Sequence, residues 1–134
     1  MKRLVSALLL CGLFCSPTTC LANGIDALLS ALVIGTWEEG YTPYGTVTFN
    51  DDGTYQAKMF ETSKREKLLL SLEGSWTIKE SELQSLLTAS SSSKAPIGET
   101  FTDTIVQINQ TELVLIGIDG QRYSKYRITP ETKE

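Results

Sequence analysis

Glu38-Glu39 and Asp51-Asp52 are adjacent carboxylates, the side-chain type that glycosidases use in pairs. Neither spacing suits that task. Neighbours on a strand point to opposite faces, which separates Glu38 from Glu39. Asp51-Asp52-Gly53 has the composition of a turn, and no calcium-loop spacing follows Asp51. Ser90–Ser93 offers hydroxyls without a base partner, because the chain of 134 residues contains no histidine. That absence removes Ser-His-Asp and Cys-His catalysis and zinc sites of the Cys2His2 type. Asp103 is a carboxylate that a one-residue shift of its strand would bury, and buried carboxylates are where acid–base chemistry is sought. Arg122 is expected to point inward near a strand end, where it either meets a ligand carboxylate or stands in water. Tyr41, Pro43 and Tyr44 form an aromatic loop that either caps a ligand or partner surface or packs on neighbouring strands. A net charge of −4 without a basic stripe argues against nucleic acid, and no Gly-rich phosphate loop is present. The residue set reads as non-enzymatic, with no metal and no cofactor.

The elements that must position these residues begin after residue 22. Lys2 and Arg3 precede the apolar run 4–15, Pro17 breaks it, and Cys20-Leu21-Ala22 places small residues at −3 and −1 of a cleavage point. This is the layout of a secretory signal peptide, too short in its apolar part to span a bilayer. The expected domains are a signal peptide, 1–22, and one exported domain, 23–134. Removal of 1–22 takes Lys2, Arg3 and all three cysteines, so the net charge falls from −4 to −6 and no disulfide is available. The exported domain is expected in the periplasm or outside the cell, with no transmembrane segment once the signal is removed.

Residues 23–32 carry a short helical pattern, and period-two alternation follows. In 67–79, Leu68, Leu70, Leu72, Gly74, Trp76 and Ile78 share one face. Eight strands are predicted, at 33–39, 43–50, 54–61, 67–79, 82–89, 100–109, 112–118 and 121–129. Asn50 to Thr54 suits a three-residue loop that pairs Phe49 with Tyr55 and Val47 with Ala57. Asp119-Gly120 reads as a two-residue hairpin that pairs Gly117 with Arg122, putting Ser124, Tyr126 and Ile128 inside and Lys125 and Arg127 outside, with Glu112 opposite Arg127. Such a meander most simply closes as an all-β, eight-stranded antiparallel up-and-down barrel behind a short N-terminal helix. Its long connections, near 39–43, 61–66 and 90–99, gather at one end as a mouth.

Gly35-Thr36-Trp37 after a short helix resembles the Gly-X-Trp signature of lipocalins and of small bacterial lipocalin-like domains. Residues 45–55 and Gly74-Ser75-Trp76-Thr77-Ile78 are similar to recurring segments of those domains. The resemblance covers nearly all of 23–134. It implies an eight-stranded calyx that in some members holds a small apolar molecule, and an arginine of the last strand, here Arg127, lying across Trp37. On this reading the protein binds a small hydrophobic ligand in its calyx through Trp37, Tyr44, Tyr55, Leu70, Trp76, Arg122 and Tyr126. Trp37 also reads as a plug at the closed end. Small residues expected inside (Gly45, Ala57, Gly74, Ser85 and Gly117) would leave space for that ligand. The alternative is a barrel filled by its own side chains that acts as a protein-binding module.

Overall fold

A computed structural model of the chain describes residues 17–39 and 44–128, with side-chain environments from residue 24 onward. Helix α1 (Pro17–Val33) leads into eight strands: β1 (Gly35–Glu39), β2 (Tyr44–Phe49), β3 (Thr54–Phe60), β4 (Leu68–Lys79), β5 (Glu82–Ser90), β6 (Thr100–Ile108), β7 (Glu112–Ile116) and β8 (Arg122–Arg127). Every strand pairs antiparallel with its sequence neighbour, and β8 returns to β1 to close the barrel. Strand bounds lie within two residues of those expected from alternation. The helix is longer than the expected 23–32, because Pro17 suits a first helical position and nothing in 18–22 breaks the turn. Tyr41 and Pro43 lie outside the described residues, as does most of the expected signal peptide.

The core is concentrated at the end where α1 sits. Val33, Trp37, Phe49, Tyr55, Ile78, Leu83, Ile105, Leu113 and Leu115 form one buried cluster, with Leu29 and Trp76 packed against it. Burying each large side chain of this kind contributes about 2–3 kcal/mol. Helix α1 lies across that end and is tied to it by polar contacts. The Trp37 indole donates to the Val33 carbonyl at 2.8 Å. The Asp26 carboxylate accepts from the backbone N–H of Glu80 at 2.8 Å and of Ser81 at 3.0 Å. Those two residues form the tight β4–β5 turn, both with φ above +50°, so Asp26 holds a backbone shape that non-glycine residues adopt reluctantly. Asp26→Ala is expected to lower stability by about 1–2 kcal/mol. A lower urea midpoint with unchanged slope would register it.

The β2–β3 hairpin has the expected register, with Phe49 opposite Tyr55 and Val47 opposite Ala57. The β7–β8 hairpin does not. Gly117 N–H donates to the Gln121 carbonyl and Gly120 N–H to the Gly117 carbonyl, both at 3.0 Å, which makes the loop three residues long, 118–120. Ile116 therefore faces Arg122, Leu115 faces Tyr123, Leu113 faces Lys125 and Glu112 faces Tyr126. The one-residue shift turns β8 over. Tyr123, Lys125 and Arg127 point inward, and the expected inward residues Arg122 and Tyr126 stand on the outer face, both exposed.

A second irregularity corrects β6. Ile105 pairs with Leu115, but Gln107 pairs with Val114, so Val106 is the extra residue of a bulge. The bulge lets Ile105 and Ile108, three apart, both reach the interior, and it turns Asp103 inward opposite Leu83.

Candidate functional site

The two halves of the barrel differ in chemistry. At the closed end Arg127 reaches from the end of β8 beneath the barrel. Its guanidinium lies 4.2 Å from the Trp37 ring centroid. Its Nε donates to the Gln110 carbonyl at 2.7 Å, Nη1 to Ile34 at 2.8 Å, and Nη2 to Leu32. One side chain thus joins the helix end, the β6–β7 turn and the first strand. It also accounts for Gly35, whose φ is +133° and whose missing Cβ would lie 2.3 Å from Arg127 Nη1. The arrangement that the resemblance implied for Arg127 is present, and the outward placement expected from the hairpin is corrected.

Trp37 is fully buried as the plug of this end. Phe49 sits between Tyr55, at 6.3 Å between centroids, and Trp76, at 5.6 Å edge-on. Trp76 donates its indole N–H to the Asn50 carbonyl at 3.0 Å. Trp37, Tyr55 and Trp76 are therefore core residues, with the closed end filled around them. Tyr55 holds its phenol above the usual range because it is buried.

Toward the mouth the interior becomes polar on one wall. Glu38 and Glu39 part company as strand geometry requires: Glu38 pairs with Arg65 on the outside, and Glu39 pairs with Lys125 inside. Tyr123 lies beneath the Lys125 ammonium, 5.4 Å from Nζ to ring centroid. Asp103 lies in the same region of the interior: a Cβ on Gly117 would lie 3.6 Å from the Tyr123 ring and 3.7 Å from the Asp103 carboxylate. The Tyr123 phenol is held far above its ordinary range, first by burial and then by the Asp103 carboxylate beside it. Burial also raises Asp103, with Glu39 and Asp119 adding to the shift and Tyr123 and Lys125 opposing it. Asp103, Tyr123 and Lys125 were missed as site residues because the bulge and the hairpin register hid their direction. The one available signal was the single-residue shift that would bury Asp103.

The adjoining wall, on β2 and β3, is mostly apolar. Gly45, Val47, Ala57 and Met59 face inward there, and with Thr46, Lys58, Glu39 and Lys125 they line a cavity of ≈ 50 Å³. Leu70 pairs with Met59 on β4 and extends this wall, half-buried. A methyl at Gly45 would come no nearer than 3.6 Å to any neighbour, so the space beside Glu39 is real. The other small residues expected to open the interior do less. The position of a Gly74 Cβ is taken by the Leu86 carbonyl and the Tyr55 ring, and a Cβ on Gly117 would crowd the Asp119 carboxylate at 3.0 Å. Tyr44, opposite Phe60 near the mouth, is half-buried and alternates outward from Gly45. Among the described residues, no group of three acidic or cysteine side chains is placed to hold a metal, and no helix is long and apolar enough to cross a membrane.

The raised Asp103 carboxyl makes a signed prediction. The folded chain keeps this proton to higher pH than the unfolded chain, whose carboxyl titrates near about 3.9. The group's favourable contribution is therefore complete at low pH and is lost as pH rises through its raised folded value. Asp103→Asn is expected to be more stable than the unsubstituted protein at pH 7, with the difference vanishing near pH 4. Urea midpoints at both pH values measure it, and a less stable variant at pH 7 would contradict the assignment.

Comparison with solved structures gives a match to the crystal structure of a lipocalin-like protein from Bacteroides uniformis, at a TM-score of 0.53 and 15% sequence identity, covering 72% of this chain and 98% of that one. At that identity the likeness is one of fold, and with the closed antiparallel eight-strand barrel it makes this chain a lipocalin-like barrel domain. No family model matches the sequence, and no curated protein matches it.

Proposed function

We propose that this protein is an exported binding protein that holds a small molecule in the open half of its barrel, without turning it over. The observation that carries this reading is the cavity beside Glu39 and Lys125, walled also by Gly45, Val47, Ala57 and Met59, with Thr46 and Lys58 at its edge. Pockets for small molecules combine an apolar lining with a few placed polar groups, and this one has that composition. Its ≈ 50 Å³ holds a few non-hydrogen atoms, so the remainder of a ligand extends toward the mouth past Leu70. Tyr44 stands at that end, while Arg122 and Tyr126 play no part.

The test is titration of the purified protein with N-phenyl-1-naphthylamine, followed by displacement with small amphiphiles. Saturable binding at one site per chain is expected, and it should be lost in Gly45→Leu, which fills the cavity. No saturable binding, or binding unchanged by Gly45→Leu, counts against the calyx. A second reading, a partner-binding module, draws on the filled closed half of the barrel, and a barrel that binds no small molecule would favour it. Export rests on Lys2, Arg3, the apolar run 4–15 and the small residues before position 23. Mass analysis of protein recovered outside the cytoplasm is expected to show a chain starting at Asn23, and full-length chain found only in the cytoplasm would overturn it.

A further inference from the structure

Part of the cavity wall is a single row of inward positions running across the strands. Lys125 on β8 is bound to Glu39 on β1. Glu39 lies opposite Gly45 on β2, Gly45 opposite Met59 on β3, and Met59 opposite Leu70 on β4. The row passes from charged to apolar, and its middle member has no side chain. The fold does not call for glycine at that place. The backbone of Gly45 lacks the positive φ found at Gly35, Gly53, Gly98 and Gly120. Nor is the position crowded, since a Cβ there would meet nothing nearer than 3.6 Å. Glycine within a strand costs conformational entropy without packing anything in return. What it leaves is a notch in the cavity wall between the Glu39 carboxylate and the Met59 side chain.

The atoms around the notch choose what can fill it. Among the described residues, the three nearest to a Cβ built at Gly45 are the Lys58 carbonyl oxygen at 3.6 Å, Glu39 Oε2 at 3.9 Å and Met59 Cγ at 3.9 Å. None of the three is a donor, so a hydrogen bond made to them must be donated by the occupant. Glu39 holds Lys125 through Oε1, and it is Oε2 that borders the notch. Lys58 enters through its carbonyl; its side chain stands at an outward position between Ala57 and Met59. An anionic head in the notch would meet the Glu39 carboxylate before the Lys125 ammonium. A cationic head would bring a second positive charge to a carboxylate that Lys125 already neutralises. A neutral hydroxyl donates to Oε2 and leaves the ion pair intact, while its hydrocarbon part follows Met59 and Leu70.

We propose, resting on the reading of the calyx as a binding site, that its ligand is an apolar alcohol or phenol whose O–H donates to Glu39 from the notch at Gly45. Glu39 is then the residue that determines specificity, and Gly45 makes room for the ligand oxygen. Lys125 holds the carboxylate in the orientation that presents Oε2. The apolar end of the ligand points past Leu70 toward Leu68, which is half-exposed at the mouth end of β4.

The experiment compares octanol with its isomer heptyl methyl ether, which accepts hydrogen bonds but cannot donate one, and with octylamine and octanoate, all against the full protein at pH 7. Octanol is expected to bind at least about tenfold more tightly than the ether, because the ether leaves Glu39 Oε2 without a donor. Gly45→Ala, which the strand has room for, should weaken octanol by about tenfold or more by filling the notch. Glu39→Leu combined with Lys125→Met removes both charges together, so that neither is left buried alone. In that double variant octanol and the ether should bind within about twofold of each other. Should the double variant fail to fold, Gly45→Ala still decides. The ether binding as tightly as octanol overturns the hydroxyl assignment and leaves the calyx standing. So does octylamine or octanoate binding more tightly than octanol, or a preference for octanol that survives in either variant. Failure of all four probes to bind overturns the assignment together with the calyx reading.

Discussion

Arg127→Ala is expected to remove about 3–5 kcal/mol of stability, a large fraction of what a domain of this size possesses. The guanidinium satisfies three backbone carbonyls, those of Leu32, Ile34 and Gln110, and stacks on a fully buried tryptophan. Hydrogen bonds from a charged donor contribute about 1.5–3 kcal/mol each before non-additivity, and the ring contact about 1 kcal/mol. Alanine deletes all of these at once and leaves carbonyls at the helix end without a donor. Arg127→Lys keeps a charge near the ring but has no fork to reach three acceptors, so it should recover less than half of the loss. Urea unfolding followed by Trp37 and Trp76 fluorescence measures both. A loss below about 1 kcal/mol for Arg127→Ala would show that the closed end is held by apolar packing alone.

Gly74→Ala is the second large effect. A Cβ at this position would lie 1.9 Å from the Leu86 carbonyl oxygen and 2.6 Å from the Tyr55 ring. The nearest obstacle is backbone of the adjacent strand, which cannot swing aside without opening the β4–β5 ladder beside its bulge. The expected cost is about 4 kcal/mol or more, enough to show as poor recovery of folded protein and loss of near-ultraviolet circular dichroism. Gly45→Ala is the matched comparison. It too faces inward, yet its Cβ meets nothing nearer than 3.6 Å, so the change is expected to be neutral or stabilising by up to about 1 kcal/mol. Equal outcomes at the two glycines would refute the difference in space between them.

These pairs also mark where the sequence is readable and where it is not. Alternation located every strand, because a strand with one buried face repeats every second residue. The 50–54 loop was readable because Asn50-Asp51-Asp52-Gly53 fits a three-residue turn. Residues 117–121 form a loop of the same length, but Asp119-Gly120 also satisfies the two-residue rule, and local sequence does not choose between them. The choice inverted β8 and with it Tyr123, Lys125 and Arg127. Arg127 was recoverable from the family resemblance, since the need to cover Trp37 is a tertiary constraint. Asp103 was not, because the bulge at Val106 is set by the demand that Ile105 and Ile108 both reach the core. Inward Gly45 and Gly74 look alike as letters, and only the approach of the neighbouring strand distinguishes room from collision.

The closure of the barrel has a kinetic side. The β1–β8 seam holds two residue pairs, Trp37 with Arg127 and Glu38 with Tyr126, against eight between β4 and β5. Its partners are also the most distant in sequence, so the chain must organise the intervening hairpins before the seam can zip. The seam is thus where the native barrel opens first, and its amides should exchange with solvent faster than those of β4 and β5. Contacts made this late are absent when the folding barrier is crossed. Losing Arg127 should then leave the folding rate nearly unchanged and accelerate unfolding, making that one side chain the latch that sets how long the folded barrel lasts.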